Sequence, residues 1–181
     1  MTTELSPKRL ELLKEAVPKA SRVMFLQDPE AAPNALKLTQ EVAPRLGIRL
    51  QVANVGVPEQ LLPELTMIAK ERPDALFVYP DVVLSSQPRP QQLADFALKA
   101  HLPTMHAFRF FVDAGGLMSY GATQSEIYRT RDFVLRATKI VLIDSPRWVR
   151  SKRPKAELEK TQTRPSAPRT WVDLAANIAY R

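Results

Sequence analysis

Ala75-Leu76-Phe77-Val78-Tyr79-Pro80-Asp81 is the stretch on which the reading of this chain turns. Five apolar residues without a polar face are what a strand buried on both sides requires, and Pro80, which has no amide hydrogen to offer a neighbouring strand, stops it. Arg22-Val23-Met24-Phe25-Leu26 is a second run of the same kind. Ile48-Arg49-Leu50-Gln51-Val52-Ala53 instead alternates apolar and polar residues, so it reads as a strand near a sheet edge. Pro103-Thr104-Met105-His106 and Leu117-Met118-Ser119-Tyr120 read as a fourth and a fifth short strand.

Helical periodicity fills the intervals. Ser6 is expected to cap a first helix with Pro7 at its first position and Leu10, Leu13, Ala16 and Val17 on its inner side. Asn34 is expected to cap a second, which carries Leu36, Leu38, Val42 and Leu46 and ends at Gly47. A third spans 58–71 with Leu61, Leu62, Leu65, Ile68 and Ala69 inward, and a fourth carries Leu93, Phe96, Ala97 and Ala100. Residues 108–114 give a helical turn broken by Gly115-Gly116, where glycine serves a positive φ. Beyond it, 124–143 reads as a long helix, or as a helix running into an added strand at Ile140-Val141-Leu142-Ile143.

Strands alternating with helices imply βαβ units with right-handed crossovers, hence an α/β, Rossmann-like three-layer sandwich around a mainly parallel sheet. One lobe is expected over residues 1–143, followed by a basic, proline-containing tail over 144–181 that is poorly ordered or holds one short helix through Trp171, Leu174, Ala175 and Ile178.

Composition narrows the chemistry. The 181 residues are 45% hydrophobic, enough for one domain with its own core, and contain no apolar run of bilayer-spanning length. Cysteine is absent, which excludes disulfides and thiolate chemistry. The two histidines, His101 and His106, straddle a proline and read as loop or strand-edge residues, not as metal ligands. The formal charge of +7 is uneven: residues 144–181 hold nine Lys or Arg against four Asp or Glu. A solvated tail is favoured there over an arm for nucleic acid, because Pro and Ser interrupt the basic residues and few aromatics interleave them.

No glycine-rich phosphate loop and no nucleophile elbow are present, and no nucleophile, base and oxyanion donor assemble from the sequence. The reading is therefore of a binding protein, not an enzyme, with no cofactor and no metal. In a sheet of this kind the loops after the strand carboxyl ends form the binding rim, here 27–34, 55–58, 80–88, 107–110 and 121–124. Asp28, Asn34, Asp81, Ser85, Phe108 and Tyr120 fall on or beside them and are the candidate ligand-binding residues. Short polar groups there suit an ammonium, a carboxylate or hydroxyls, and the aromatic rings suit a flat solute.

Three blocks carry a family resemblance. Leu5-Ser6-Pro7-Lys8-Arg9-Leu10-Glu11-Leu12-Leu13-Lys14-Glu15-Ala16-Val17-Pro18 with Ser21-Arg22-Val23 is the first, and Glu71-Arg72-Pro73-Asp74-Ala75-Leu76-Phe77-Val78 the second. The third and most specific is Phe108-Arg109-Phe110-Phe111-Val112-Asp113-Ala114-Gly115-Gly116-Leu117-Met118-Ser119-Tyr120-Gly121. In this order they resemble the substrate-binding proteins of ABC transporters of the tryptophan/tyrosine-binding type. The resemblance, over about residues 5–140, implies a type 1 periplasmic binding protein fold, truncated here to mainly the second lobe. It implies a small-molecule solute, in some members an aromatic amino acid, an ABC permease as partner, and a periplasmic or other extracytoplasmic location. By position it assigns 28–34, Asp81 and Tyr120 to the cleft. The N-terminus has neither the basic start nor the apolar stretch of a secretory signal, so the chain as written is expected in the cytoplasm. There the alternative is a regulatory or interaction module whose basic tail contacts nucleic acid.

Overall fold

The computed structural model describes residues 4–31 and 33–121 in full and the backbone of 139–142. The tail over 144–181 and the long helix expected from 124 lie outside the described residues.

Six strands form one sheet in the order β2-β1-β3-β4-β5-β6. They are β1 (Arg22–Gln27), β2 (Arg49–Asn54), β3 (Ala75–Val78), β4 (Thr104–His106), β5 (Met118–Gly121) and β6 (Lys139–Leu142). The first five run parallel, and β6 pairs antiparallel with β5, Tyr120 opposite Ile140. Of the two readings of the region before Ile143, the added strand is thus present. The alternating strand β2 does lie at the edge, whereas β1, with its apolar centre Val23–Leu26, and the fully apolar β3 are internal.

Alternation along each strand divides the core between the two faces of the sheet. Val23, Phe25, Ala75, Phe77 and Tyr79 face α1 (Ser6–Ala16) and α2 (Pro33–Val42), where Leu10, Leu13 and Ala35 complete one cluster. Met24, Leu26, Leu76 and Val78 face the other way, against Leu61, Leu65 and Ile68 of α3 (Leu61–Glu71), Leu84 of α4 (Val82–Ser85), Leu93 of α5 (Arg89–Lys99) and Phe111 of α6 (Arg109–Asp113). Phe25 and Phe77 stack at 4.9 Å between centroids on adjacent strands, a cross-strand pair that helps fix the β1/β3 register. No helix among the described residues is long and apolar enough to cross a membrane.

Several local expectations are corrected. Ser6 is the first residue of α1, and Leu5 precedes it as the cap residue without any side-chain cap bond; Ser6 is buried instead. Asn34 lies inside the first turn of α2, which starts at Pro33. Leu62 and Ala69 face solvent: the inner stripe of α3 is the narrow i, i+4, i+7 row Leu61, Leu65 and Ile68, and each of the two lies one residue past it. His106 is neither in a loop nor at an edge: it ends a strand flanked on both sides and is buried. Gly115 has the expected positive φ of 120°, but its neighbour Gly116 is there for space, since a Cβ would stand 2.7 Å from Nε2 of His106. The helix before β2 does end at Gly47, φ 64°, after a 3-10 turn at Ala43–Leu46.

Candidate functional site

Because β1 sits between β2 and β3, the chain leaves β1 for the outer strand and then crosses back, so the loops after β1 and β3 part on either side of a switch point. Pro80 ends the third strand, and Asp81, in extended conformation (φ −115°, ψ 173°), caps α4. Its Oδ1 accepts the Leu84 amide at 2.6 Å, the bond a capping aspartate makes to the third helical amide. Its other oxygen, Oδ2, accepts the backbone amide of Asp28 at 3.0 Å, across the switch point. Asp28 in turn makes its own turn, with Oδ1 accepting the Glu30 amide at 3.0 Å. The Asp81 side chain therefore bridges the two rim loops, and the residue is only 7% exposed. Burial pushes its carboxyl above the usual range, against the lowering effect of the Leu84 and Asp28 amides.

The structure thus joins three of the six candidates directly: Asp28 and Asp81 through that bond, and Ser85 through its amide on the Asp81 carbonyl at 3.0 Å. Phe108 follows β4 and caps α6 in extended conformation, its ring 5.6 Å from that of Phe110. Tyr120 is half-buried near the end of β5. Both lie at the same carboxyl edge as Asp81, but no hydrogen bond among the described residues links either to it. Asn34 is exposed at the start of α2, the helix following the loop after β1.

Four further residues shape this edge. Arg9 reaches from α1 to donate its Nε–H to the Tyr120 carbonyl at 2.6 Å. The residue is 0% exposed, and burial lowers its guanidinium to about 10, while Tyr79 and Tyr120 pull it back up. Gly121 lies beside it because a Cβ would fall on the Ala107 carbonyl oxygen. Gln27, the last residue of β1, is buried; its amide nitrogen donates to Asn54 Oδ1 at 3.3 Å, while its Oε1 has no partner. The Oγ of Ser85 is likewise buried without one. His106, 1% exposed and stacked on Phe111 at 4.5 Å, has no partner for either ring nitrogen, and burial lowers it to about 3, so it is neutral. A sequence signal was available for Gln27, the polar residue that closes an apolar run.

Among the described residues no cluster of His, Asp or Glu is suited to hold a metal ion. What the edge offers is a set of acceptors and a hydroxyl on the segments after β1 and β3, with aromatic residues at the ends of β4 and β5.

No protein-family model matches the chain, and comparison with curated proteins finds none similar to it. Solved structures do match. A conserved domain protein from Vibrio cholerae aligns at TM-score 0.66 and 18% identity, over 87% of this chain and 59% of that one. A substrate-binding protein with adhesive properties from Clostridium difficile, in a ligand-free open structure, aligns at 0.60 and 18%, over 83% and 57%. An ABC domain from Streptococcus pneumoniae in complex with L-Trp aligns at 0.56 and 18%, over 65% and 39%. The chain therefore spans between about two fifths and three fifths of the length of each. At these identities the likeness establishes the fold alone: an α/β lobe with helices on both faces of a mainly parallel sheet.

Proposed function

We propose that the chain binds a small polar or aromatic solute at the carboxyl edge of its sheet, as the substrate-binding component, or part of one, of an ABC transporter. The observation that carries this reading is the gathering of the rim loops at one edge, with Asp28, Asp81 and Ser85 joined at the switch point and buried polar atoms of Gln27 and Ser85 left without partners. Unpartnered buried polar atoms are uncommon, and a ligand that bonds to them is an economical reason for their presence. Phe108 and Tyr120 would flank the solute's flat part, and Asn34 would meet it from the start of α2.

Support for the solute class comes from the Clostridium and Streptococcus proteins, one a substrate-binding protein and the other a complex with L-Trp. An aromatic amino acid, an ABC permease as partner and an extracytoplasmic location belong to this proposal, as does capture between two lobes. The basic residues over 144–181 keep contact with nucleic acid as the alternative, which no described residue favours.

A thermal-shift screen with L-tryptophan, L-tyrosine, L-phenylalanine and a panel of polar amino acids and sugars tests the reading. A solute present at about 100 times its Kd stabilises the native state by about 2.7 kcal/mol, a readable rise in melting temperature. A flat response across the whole panel counts against solute binding.

A further inference from the structure

We infer that Asp81 is a positioning residue which fills, from within the chain, the seat for a negative group at the β1/β3 switch point, so that the solute group entering there is neutral or cationic. Two backbone amides from different rim loops, those of Asp28 and Leu84, converge on one buried carboxylate. An external carboxylate or phosphate finds both donors already taken, and would face the charge of Asp81 at close range with Asp28 beside it. The Oε1 of Gln27, one residue before Asp28, and the Oγ of Ser85, in α4, are buried without partners, an acceptor and a hydroxyl. The two side-chain ion pairs described, Lys8 with Glu11 and Arg109 with Asp113, involve neither Asp28 nor Asp81. With both amides taken and two carboxylates side by side, the switch point's complement is a donor group such as an amine or an amide.

The second effect is mechanical. The β1 and β3 loops are also tied at the Tyr79 amide, which bonds the Leu26 carbonyl at 2.9 Å just inside the edge. Asp81 adds the outermost tie, and without it the loop that begins at Asp28 is free to move away from α4. The choice of solute group rests on the solute-binding reading; the filled seat does not.

Asp81→Ala removes the carboxylate and leaves space for formate. The variant is expected to melt about 5 °C below the parent chain, and formate to restore about half of that loss while chloride at equal ionic strength restores none. Formate should leave the parent chain unchanged, and Asp81→Asn too, because its side-chain amide still occupies the seat. In Asp81→Asn the Asp28 amide should exchange its hydrogen about tenfold faster, with the Tyr79 amide as the unaffected reference. Melting of Asp81→Ala with the parent chain, or equal action of formate and chloride on it, would overturn the filled seat. If Asp81→Ala does not fold, unchanged exchange at Asp28 in Asp81→Asn would overturn it instead. Succinate raising the parent chain's melting temperature while shifting the Asp28 and Asp81 amide resonances would overturn the solute preference alone. Formate rescue with a flat solute screen would retain the seat and remove the transport reading.

Discussion

Two aspartates bracket β3, and each ties that strand's end to β1. Asp74, just before the strand, accepts the Ser21 amide at 2.9 Å, the Arg22 amide at 2.8 Å and the Ser21 hydroxyl at 3.0 Å, all on Oδ2. Asp81, just after it, accepts one amide from the β1 loop and one from its own turn. The bonding is alike, but the surroundings differ. At Asp74 burial pulls the carboxyl upward and is outweighed by the Ser21 and Arg22 bonds and the Arg22 charge, so it lies below its usual range. At Asp81 burial wins, and the carboxyl lies above it. The amino edge is a fastening: Arg22 also donates to the Glu71 and Arg72 carbonyls at the end of α3. The carboxyl edge buries a carboxylate, a guanidinium and a histidine, each at a cost in stability.

The largest expected effect that sharpens this contrast is at His106. Its folded value, lowered by burial from 6.5 to about 3, means that the unfolded chain binds the proton first as pH falls. The native state therefore keeps the full contribution above pH 6.5 and loses it progressively toward pH 3, on the order of 5 kcal/mol. His106→Leu should flatten that acid limb in urea titrations run across the window; an unchanged limb would mean that His106 is not buried as described.

Next comes Gly121→Ala, which drives a Cβ onto the Ala107 carbonyl and crowds Arg9. A loss of about 3 kcal/mol or more by denaturant unfolding is expected. Asp74→Ala, at the more exposed edge, should lose less, about 1–2 kcal/mol, because three hydrogen bonds go but water replaces them readily. It should also leave any solute affinity unchanged, which separates fastening from binding.

The smallest effect is the sign of two acid dependences. Asp74, lowered on folding, stabilises the fold above pH 3.8, and that contribution fades as pH falls through its folded value. Asp81, raised on folding, does the reverse: the native state holds its proton more tightly, so stability falls as pH rises from 3.8 through its folded value. Asp74→Asn should soften acid denaturation and Asp81→Asn should steepen it, as read from the midpoints of matched pH titrations.

How much of this was legible follows from the range of each interaction. β1 and β3 announce themselves because burial on both faces leaves no polar residue between Val23 and Leu26 or between Ala75 and Tyr79. The edge position of β2 follows from its alternation in the same way. Asp81 stood out because a short polar residue after a proline-stopped strand falls on the rim. Its partner did not, since the Asp28 amide lies 53 residues away and a backbone donor carries no side-chain signature. Arg9 was harder still: its acceptor is a carbonyl 111 residues on, and an arginine on an apolar stripe reads as one that reaches past the core to water. The outward turn of Leu62 escaped because two adjacent leucines at the start of a helix fit the apolar stripe equally well by residue type, and only packing selects Leu61.

The most direct test of the central claim, that the carboxyl edge is where this lobe meets its solute, is an amide chemical-shift map recorded while L-tryptophan, or whichever solute stabilises the chain in the thermal screen, is added. Shifts confined to Asp28, Asp81, Ser85, Phe108 and Tyr120, with Ser21, Arg22 and Asp74 unmoved, are the expected result. Shifts centred on Ser21, Arg22 and Asp74 with the carboxyl edge silent would contradict it.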